Sequence, residues 1–278
     1  MHSNRSIWRA ALRNPSITVG GGILLLITLL FVFAPWLGTV DPLTMNPIAR
    51  TLEPSAKHWF GTDTYGRDLY SRVLYGGRIS LLIGFSVAIL ATVIGLLIGL
   101  VSGYFRIVDM VVMRIMDGLM SIPAVLLAIA MTALMRGSVL NVIIAITVSE
   151  IPRVVRLVRG SVLSLRERTY VEAAMVSGTR TPTIIVRHIL PNTFAPLVVQ
   201  ATYIFAAAMI MEAIMSFIGA GTPPSIPSWG NIIAEGRMLW QVKFMIIVFP
   251  AVFLSIAVFS INMMGDGLRD LLDPKAPR

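Results

Sequence analysis

The sequence contains no cysteine, which excludes a disulfide, a thiol nucleophile and any Cys-ligated metal site. Histidine is almost as scarce. His2, His58 and His188 are scattered and form no H-x-x-x-H metal pair. The three lysines, Lys57, Lys243 and Lys275, follow Ala, Val and Pro. No Gly-Lys pair exists, and a phosphate-cradling P-loop needs one, so this chain alone does not hydrolyse ATP. A G-x-S-x-G nucleophile elbow is also missing. No internal repeat stands out, which weighs against a carrier built from inverted repeats. Charge of either sign is sparse: 13% of the 278 residues are charged and 56% are hydrophobic, against about 25% charged in soluble domains. That deficit points to a membrane protein.

The net charge is +9, but no basic patch with interleaved aromatics appears, so nucleic acid is not the partner. The 20 Arg and 3 Lys sit mostly at the ends of apolar runs. A helical span needs about 20 apolar residues. Residues 14–40 are uncharged, too long for the apolar region of a cleaved signal peptide, and are read as a retained first span. Residues 79–105 make span 2. Gly118–Met135 is a short span 3 bent at Pro123. Span 4 starts near Gly137 and must continue past Glu150 and Pro152 towards Arg153, Arg156 and Arg159, whose side chains can snorkel to the interface. Residues 192–211 and 244–265 make spans 5 and 6. Span 2 carries Ala91, Gly95, Gly99 and Gly103 at intervals of four, a stripe that lets another helix approach closely in lipid. Arg67–Tyr75 reads as a short amphipathic helix on the membrane surface. Trp229 and Trp240, in the Gly/Pro-rich stretch 219–243, are placed as interfacial aromatics would be.

Between spans 4 and 5 lies a charged elbow, Y-V-E-A-A-M-V-S-G-T-R-T-P-T-I-I-V-R-H-I-L-P-N from Tyr170. Val171–Ser177 suits a short helix with Glu172 in its first turn and Ala173 and Ala174 as strong helix formers. Gly178 stands where a helix ends in a left-handed residue. Thr181 as N-cap and Pro182 at the first helical position start a second short helix, which Pro191 closes. Small residues at 173 and 174 leave room for another backbone, the shape of a docking element.

The spacing of Glu172, Ala173, Ala174, Gly178, Leu190 and Pro191 resembles the EAA loop of ABC importer permeases. The likeness extends over nearly all of residues 15–275. G-T-D-T-Y-G-R-D-L-Y-S-R from Gly61, E-A-I-M-S-F-I-G-A-G-T-P-P-S-I-P-S-W-G-N-I-I-A-E-G-R from Glu212 and N-M-M-G-D-G-L-R-D-L-L-D-P-K from Asn262 resemble the C-type permeases of the dipeptide/oligopeptide/nickel subfamily. Departures are slight: Ile214, Met215 and Ile218 stand where that subfamily often has Leu.

The resemblance implies an all-α polytopic membrane protein of six transmembrane helices with the type I ABC importer permease fold and a cytoplasmic coupling helix. Residues 1–78 would hold the N-terminal segment, first span and outer loop, and residues 79–278 the permease core. Glu172, Ala173, Ala174, Gly178, Leu190 and Pro191 would couple the chain to ATPase subunits. It would work with a homologous second permease, two ATP-binding subunits and an extracytoplasmic solute-binding protein. This chain would carry no cofactor; ATP and Mg would sit on the ATPase partners. The expected cargo is di- or oligopeptides, with nickel or glutathione as the alternative within the family and a stand-alone secondary transporter as the alternative outside it. With both termini in the cytoplasm of a bacterial inner-membrane protein, 15 basic residues fall inside and 8 outside, as the positive-inside rule requires.

Two carboxylates stand near or within apolar runs. Glu212 lies near the outer end of span 5, where a carboxylate must face protein or water. It either lines a substrate path or pairs structurally, for instance with Arg237. Asp117 is similar, with Arg114 three residues away as its expected partner. The methionines at 110, 113, 116 and 120 read as flexible packing.

Overall fold

The computed structural model describes residues 12–135 and 137–272. Arg5 and Arg9, Arg136 and the D-P-K segment with Lys275 lie outside the described residues. Among the described residues the chain is helical, with one isolated bridge between Thr62 and Asp68. The long elements are α1 (Pro15–Val32), α2 (Leu69–Tyr104), α3 (Arg106–Met120), α4 (Ala124–Leu134), α5 (Val139–Arg166), α6 (Thr169–Val176), α7 (Thr181–Ile218), α8 (Trp229–Gly236) and α9 (Met245–Leu272).

Four of these, α1, α2, α7 and α9, are long and apolar enough to cross a membrane. A fifth crossing exists only if α3 and α4 count as one span, and they bend by 89° at their junction. The bend expected at Pro123 is present but far sharper than a kinked single span allows, so the bounds of span 3 are corrected: Gly118–Met120 end α3, Pro123 caps α4, and α4 has 11 residues, about 16 Å against a core of about 30 Å. The fourth expected span is one helix, α5, of 28 residues with Pro152 inside. It is less apolar than the other four, because Glu150 and three of its arginines stand mid-helix. These arginines do more than snorkel. Arg153 pairs with Glu150 at 3.0 Å, Arg156 with Asp117 at 2.6 Å, and Arg159 with Asp109. Asp117 thus pairs across to α5 and not with Arg114.

The glycine stripe packs α2 on α5. A Cβ at Gly95, Gly99 or Gly103 would fall 2.5–2.7 Å from the Cβ of Val154, Val158 or Val162. Three glycines four apart meet three valines four apart, so the two backbones close to a distance that no larger side chain permits.

α2 has 36 residues, about 54 Å, so part of it must project beyond the hydrocarbon core. Its first turns do so, and they do not lie on the membrane surface as the sequence suggested. Leu69, Val73 and Arg72 are buried. Arg72 Nη1 donates to Asp63 at 2.5 Å and to Glu235 at 2.5 Å, while Arg67 donates to the same two carboxylates at 2.6 and 2.5 Å. Two cations and two anions cancel, so the polar 33–68 segment can fold over this end of the bundle. Trp229 is likewise not interfacial: it is fully buried, edge-on to Phe31 at 5.4 Å, and its Nε1 donates to Val73 O at 3.0 Å. Trp240 is 61% exposed.

Candidate functional site

At the opposite end of the bundle the chain leaves α5 at Arg166, and only Glu167 and Arg168 separate it from α6. The α6 helix starts two residues earlier and ends one residue earlier than the Val171–Ser177 the sequence suggested. Its first turn is closed by the Arg168 carbonyl, which accepts from Val171 and Glu172 N–H at 2.9 and 3.1 Å. Val171 alone among its residues is buried. Tyr170, Glu172, Ala173 and Val176 face outward, Val176 at 90%. An eight-residue helix with one buried side chain, tied to α7 by Tyr170 against His188 and Asn192, and showing an apolar, small-residue face has the form of a surface that something else covers.

Its end is fixed by backbone geometry. Gly178 N–H donates to Met175 O at 3.0 Å and Thr179 N–H to Ala174 O at 3.0 Å, the paired bonds of a Schellman cap. This needs a left-handed residue, and Gly178 has φ +77°. A Cβ there would meet nothing within 4 Å, so glycine serves conformation and not space.

The second half differs from expectation. Thr181 is the first helical residue and Arg180 precedes it without a side-chain cap bond. Pro191 does not end the helix: α7 runs from Thr181 to Ile218, with a π turn at Ile185–Ile189. Leu190 N–H reaches back five residues to Ile185 O. A proline inside a helix lacks an N–H and pushes against the carbonyl four residues back; the wider turn just before Pro191 takes up that misfit. The 38 residues of α7 span about 57 Å against a hydrocarbon core of about 30 Å, so part of the helix is an extension, and the charged turns with Arg187 and His188 suit it. The elbow is α6 plus this extension, and Asn192 Nδ2 braces it by donating to His188 O at 2.6 Å. Glu172, Ala173, Ala174 and Gly178 therefore share one capped helix, whereas Leu190 and Pro191 stand beyond the π turn, Leu190 half-buried and Pro191 exposed.

The other two candidates lie elsewhere. Asp117 is on α3, paired with Arg156. Glu212 is fully buried and does not meet Arg237, whose Nη1 donates to Phe217 O at 2.9 Å. Hydroxyls surround it: Ser216 and Ser228 donate at 2.8 Å, Thr222 at 3.3 Å and Ser80 at 3.5 Å. Asn231 Nδ2 in turn donates to Thr222 Oγ1 at 2.9 Å. This knot ties α7, the 219–228 segment, α8 and α2 together. Sequence reasoning missed it and the Asp63–Arg67–Arg72–Glu235 cluster, because Ser80 and Glu235 are distant in the chain from the residues they join. No group of three or more His, Asp or Glu side chains that could hold a metal exists among the described residues.

Four helices long and apolar enough to cross a membrane, with a short, exposed, capped helix joining two long ones, define the class: a polytopic helical membrane protein. Residues 91–276 match the model of the binding-protein-dependent transport system inner membrane component family, and residues 4–54 match the N-terminal transmembrane domain of oligopeptide transport permease C. The chain belongs to that family of binding-protein-dependent permeases. It is 50% identical, over 98% of this chain and 94% of the relative, to a protein of Sinorhizobium fredii described as a probable peptide ABC transporter permease. It is 41% identical to a dipeptide transport system permease of Alkalihalophilus pseudofirmus, over 97% of this chain and 90% of the relative. A solved structure of the MetNI methionine ABC transporter, inward-facing, shares the fold with TM-score 0.58 at 22% identity, covering 73% of this chain and 96% of that one.

Proposed function

We propose that this chain forms half of the translocation pore of an importer for di- or oligopeptides, and that α6 is the helix through which ATPase subunits drive it. The observation that carries the reading is the Schellman-capped, outward-facing α6 fixed between α5 and α7. A short rigid helix seated in a partner's cleft moves with that partner. Its two ends pass the movement into both long helices, which can bias a bundle between two arrangements. α5 carries the movement on to α2 through the Gly95–Val154 contact and to α3 through Asp109 and Asp117.

In this reading both termini and α6 face the cytoplasm, residues 79–278 form the core, and ATP with Mg is bound by the partners. A homologous permease completes the pore, two ATP-binding subunits engage the two docking helices, and an extracytoplasmic binding protein delivers cargo to the side of the 33–68 and 219–244 segments. Glu172, Ala173, Ala174 and Gly178 form the docking surface, and Leu190 and Pro191 hold the α7 extension at its angle to α6. Glu212 fastens the outer ends of the helices and Asp117 links α3 to α5; neither needs to touch cargo. The peptide assignment is supported by the names of the relatives above. It is tested by uptake of a labelled dipeptide into vesicles bearing the assembled transporter, with binding protein outside and ATP inside. ATP-dependent uptake competed by unlabelled peptide supports the reading; uptake without ATP, or transport of another solute only, overturns it.

A further inference from the structure

Between α1 and α2 runs an apolar groove of about 370 Å³. Phe31 and Phe205 form its floor, both at least 92% buried, and Leu24, Leu82 and Phe85 its walls. Leu82 and Phe85 are more than half exposed, so the groove opens to the surroundings of the bundle. At its mouth stands Arg78. The Arg78 Nε donates to Phe31 O at 2.6 Å and its Nη2 to Val32 O at 2.9 Å, and the guanidinium lies 4.7 Å from the Tyr75 ring centre. These bonds satisfy the last carbonyls of α1 but bring no negative charge. Arg78 has no carboxylate partner among the described residues, and Nη1 takes no part in either bond.

Height decides what would meet that charge. The 18 residues of α1 span about 27 Å, nearly the whole hydrocarbon thickness of about 30 Å. Arg78 sits on the final carbonyls, hence at the level of lipid phosphates. An acyl-chain-shaped apolar groove below and an unneutralised guanidinium at headgroup height together describe a phospholipid. We propose that this groove binds one acyl chain of an anionic phospholipid with its phosphodiester on Arg78. A zwitterionic lipid brings its own ammonium and leaves the local charge uncancelled, so selectivity for the anionic class follows. A helix of a second membrane subunit is the competing occupant.

The test is a photoreactive benzoylphenylalanine at Leu82 in the full chain, irradiated in its native membrane, with the adduct read by intact mass and headgroup analysis. The proposal predicts a phospholipid adduct in which anionic headgroups are enriched about fivefold over their share of the membrane, the gain that one arginine near an anionic headgroup supplies. Arg78→Gln removes the enrichment and Arg78→Lys retains it. Because Arg78 also caps α1, a second variant leaves it untouched: Thr28→Trp fills the groove and lowers the lipid adduct. A protein adduct in place of lipid, or a lipid adduct with bulk headgroup proportions that Arg78→Gln does not change, overturns the proposal.

Discussion

Gly95 lies directly against Val154: a Cβ on residue 95 would fall 2.5 Å from the Val154 Cβ. No rotamer relieves that overlap, so a larger residue must push α2 and α5 apart along the whole stripe. Overpacking of this kind costs about 1–3 kcal/mol. Gly95→Leu should lower the thermal midpoint of the purified protein and reduce its amount in the membrane. Gly118→Leu, at a position where a Cβ meets nothing within 4 Å, should do neither. Equal behaviour of the two variants would mean that the stripe is not a close contact.

Arg72 is fully buried between Asp63 and Glu235. Removing Arg72 leaves Arg67 alone against the two carboxylates, and an uncompensated buried charge costs about 3–5 kcal/mol. Arg72→Ala should unfold the outer segment, read as new protease cleavage within residues 41–68 in intact spheroplasts. Arg72→Lys keeps the charge but not the fork that reaches both carboxylates, and should fall between the two. An uncleaved Arg72→Ala chain would show that the cluster does not hold this segment.

Glu212 accepts from hydroxyls only, and hydroxyls can donate or accept. Glu212→Gln should therefore keep both stability and uptake close to those of the parent. Glu212→Leu leaves buried hydroxyls without an acceptor and should cost about 1–3 kcal/mol, visible as a lower thermal midpoint. A Glu212→Gln variant of unchanged stability but altered uptake would place the carboxylate on the cargo path.

Spans 1, 2, 5 and 6 and the glycine stripe were legible because both follow simple patterns, long uncharged runs and small residues four apart; spans 3 and 4 were not, because an 89° break and mid-helix charges interrupt their runs. Gly178 was legible because a cap glycine is a local feature. The π turn was not: Pro191 signals a helix end as readily as a bend, and only the continuous α7 distinguishes them. Asp117 went to the wrong arginine because helix spacing allows Arg114 as a partner, while Arg156 stands 39 residues away. Arg72 and Trp229 misled for a related reason. Their types favour an interface, and the partners that let them be buried, Glu235 for one and Val73 O for the other, come from distant parts of the chain.

Gly178→Val forces a β-branched residue to φ +77°, a strain of about 1–3 kcal/mol confined to the cap. The chain should still reach the membrane in normal amount, since Gly178 touches nothing in the bundle, yet uptake should fall below a tenth of the parent's, a drop of about 1.4 kcal/mol or more in coupling. Gly178→Ala should be milder. Normal uptake by the valine variant would remove α6 from the coupling path.

The most direct test of the whole account is ATP hydrolysis by the assembled complex, with and without peptide-loaded binding protein, comparing the parent chain with Glu172→Lys. Glu172 is exposed in the first turn of α6 and is bonded through its backbone, the N–H to Arg168 O, so the substitution reverses charge on the proposed docking face and leaves the bundle intact. The account predicts that loaded binding protein stimulates the parent, and that the variant loses either its ATPase subunits or the stimulation. Full stimulation of the Glu172→Lys complex, or solute movement by the chain with no ATPase bound, would contradict it.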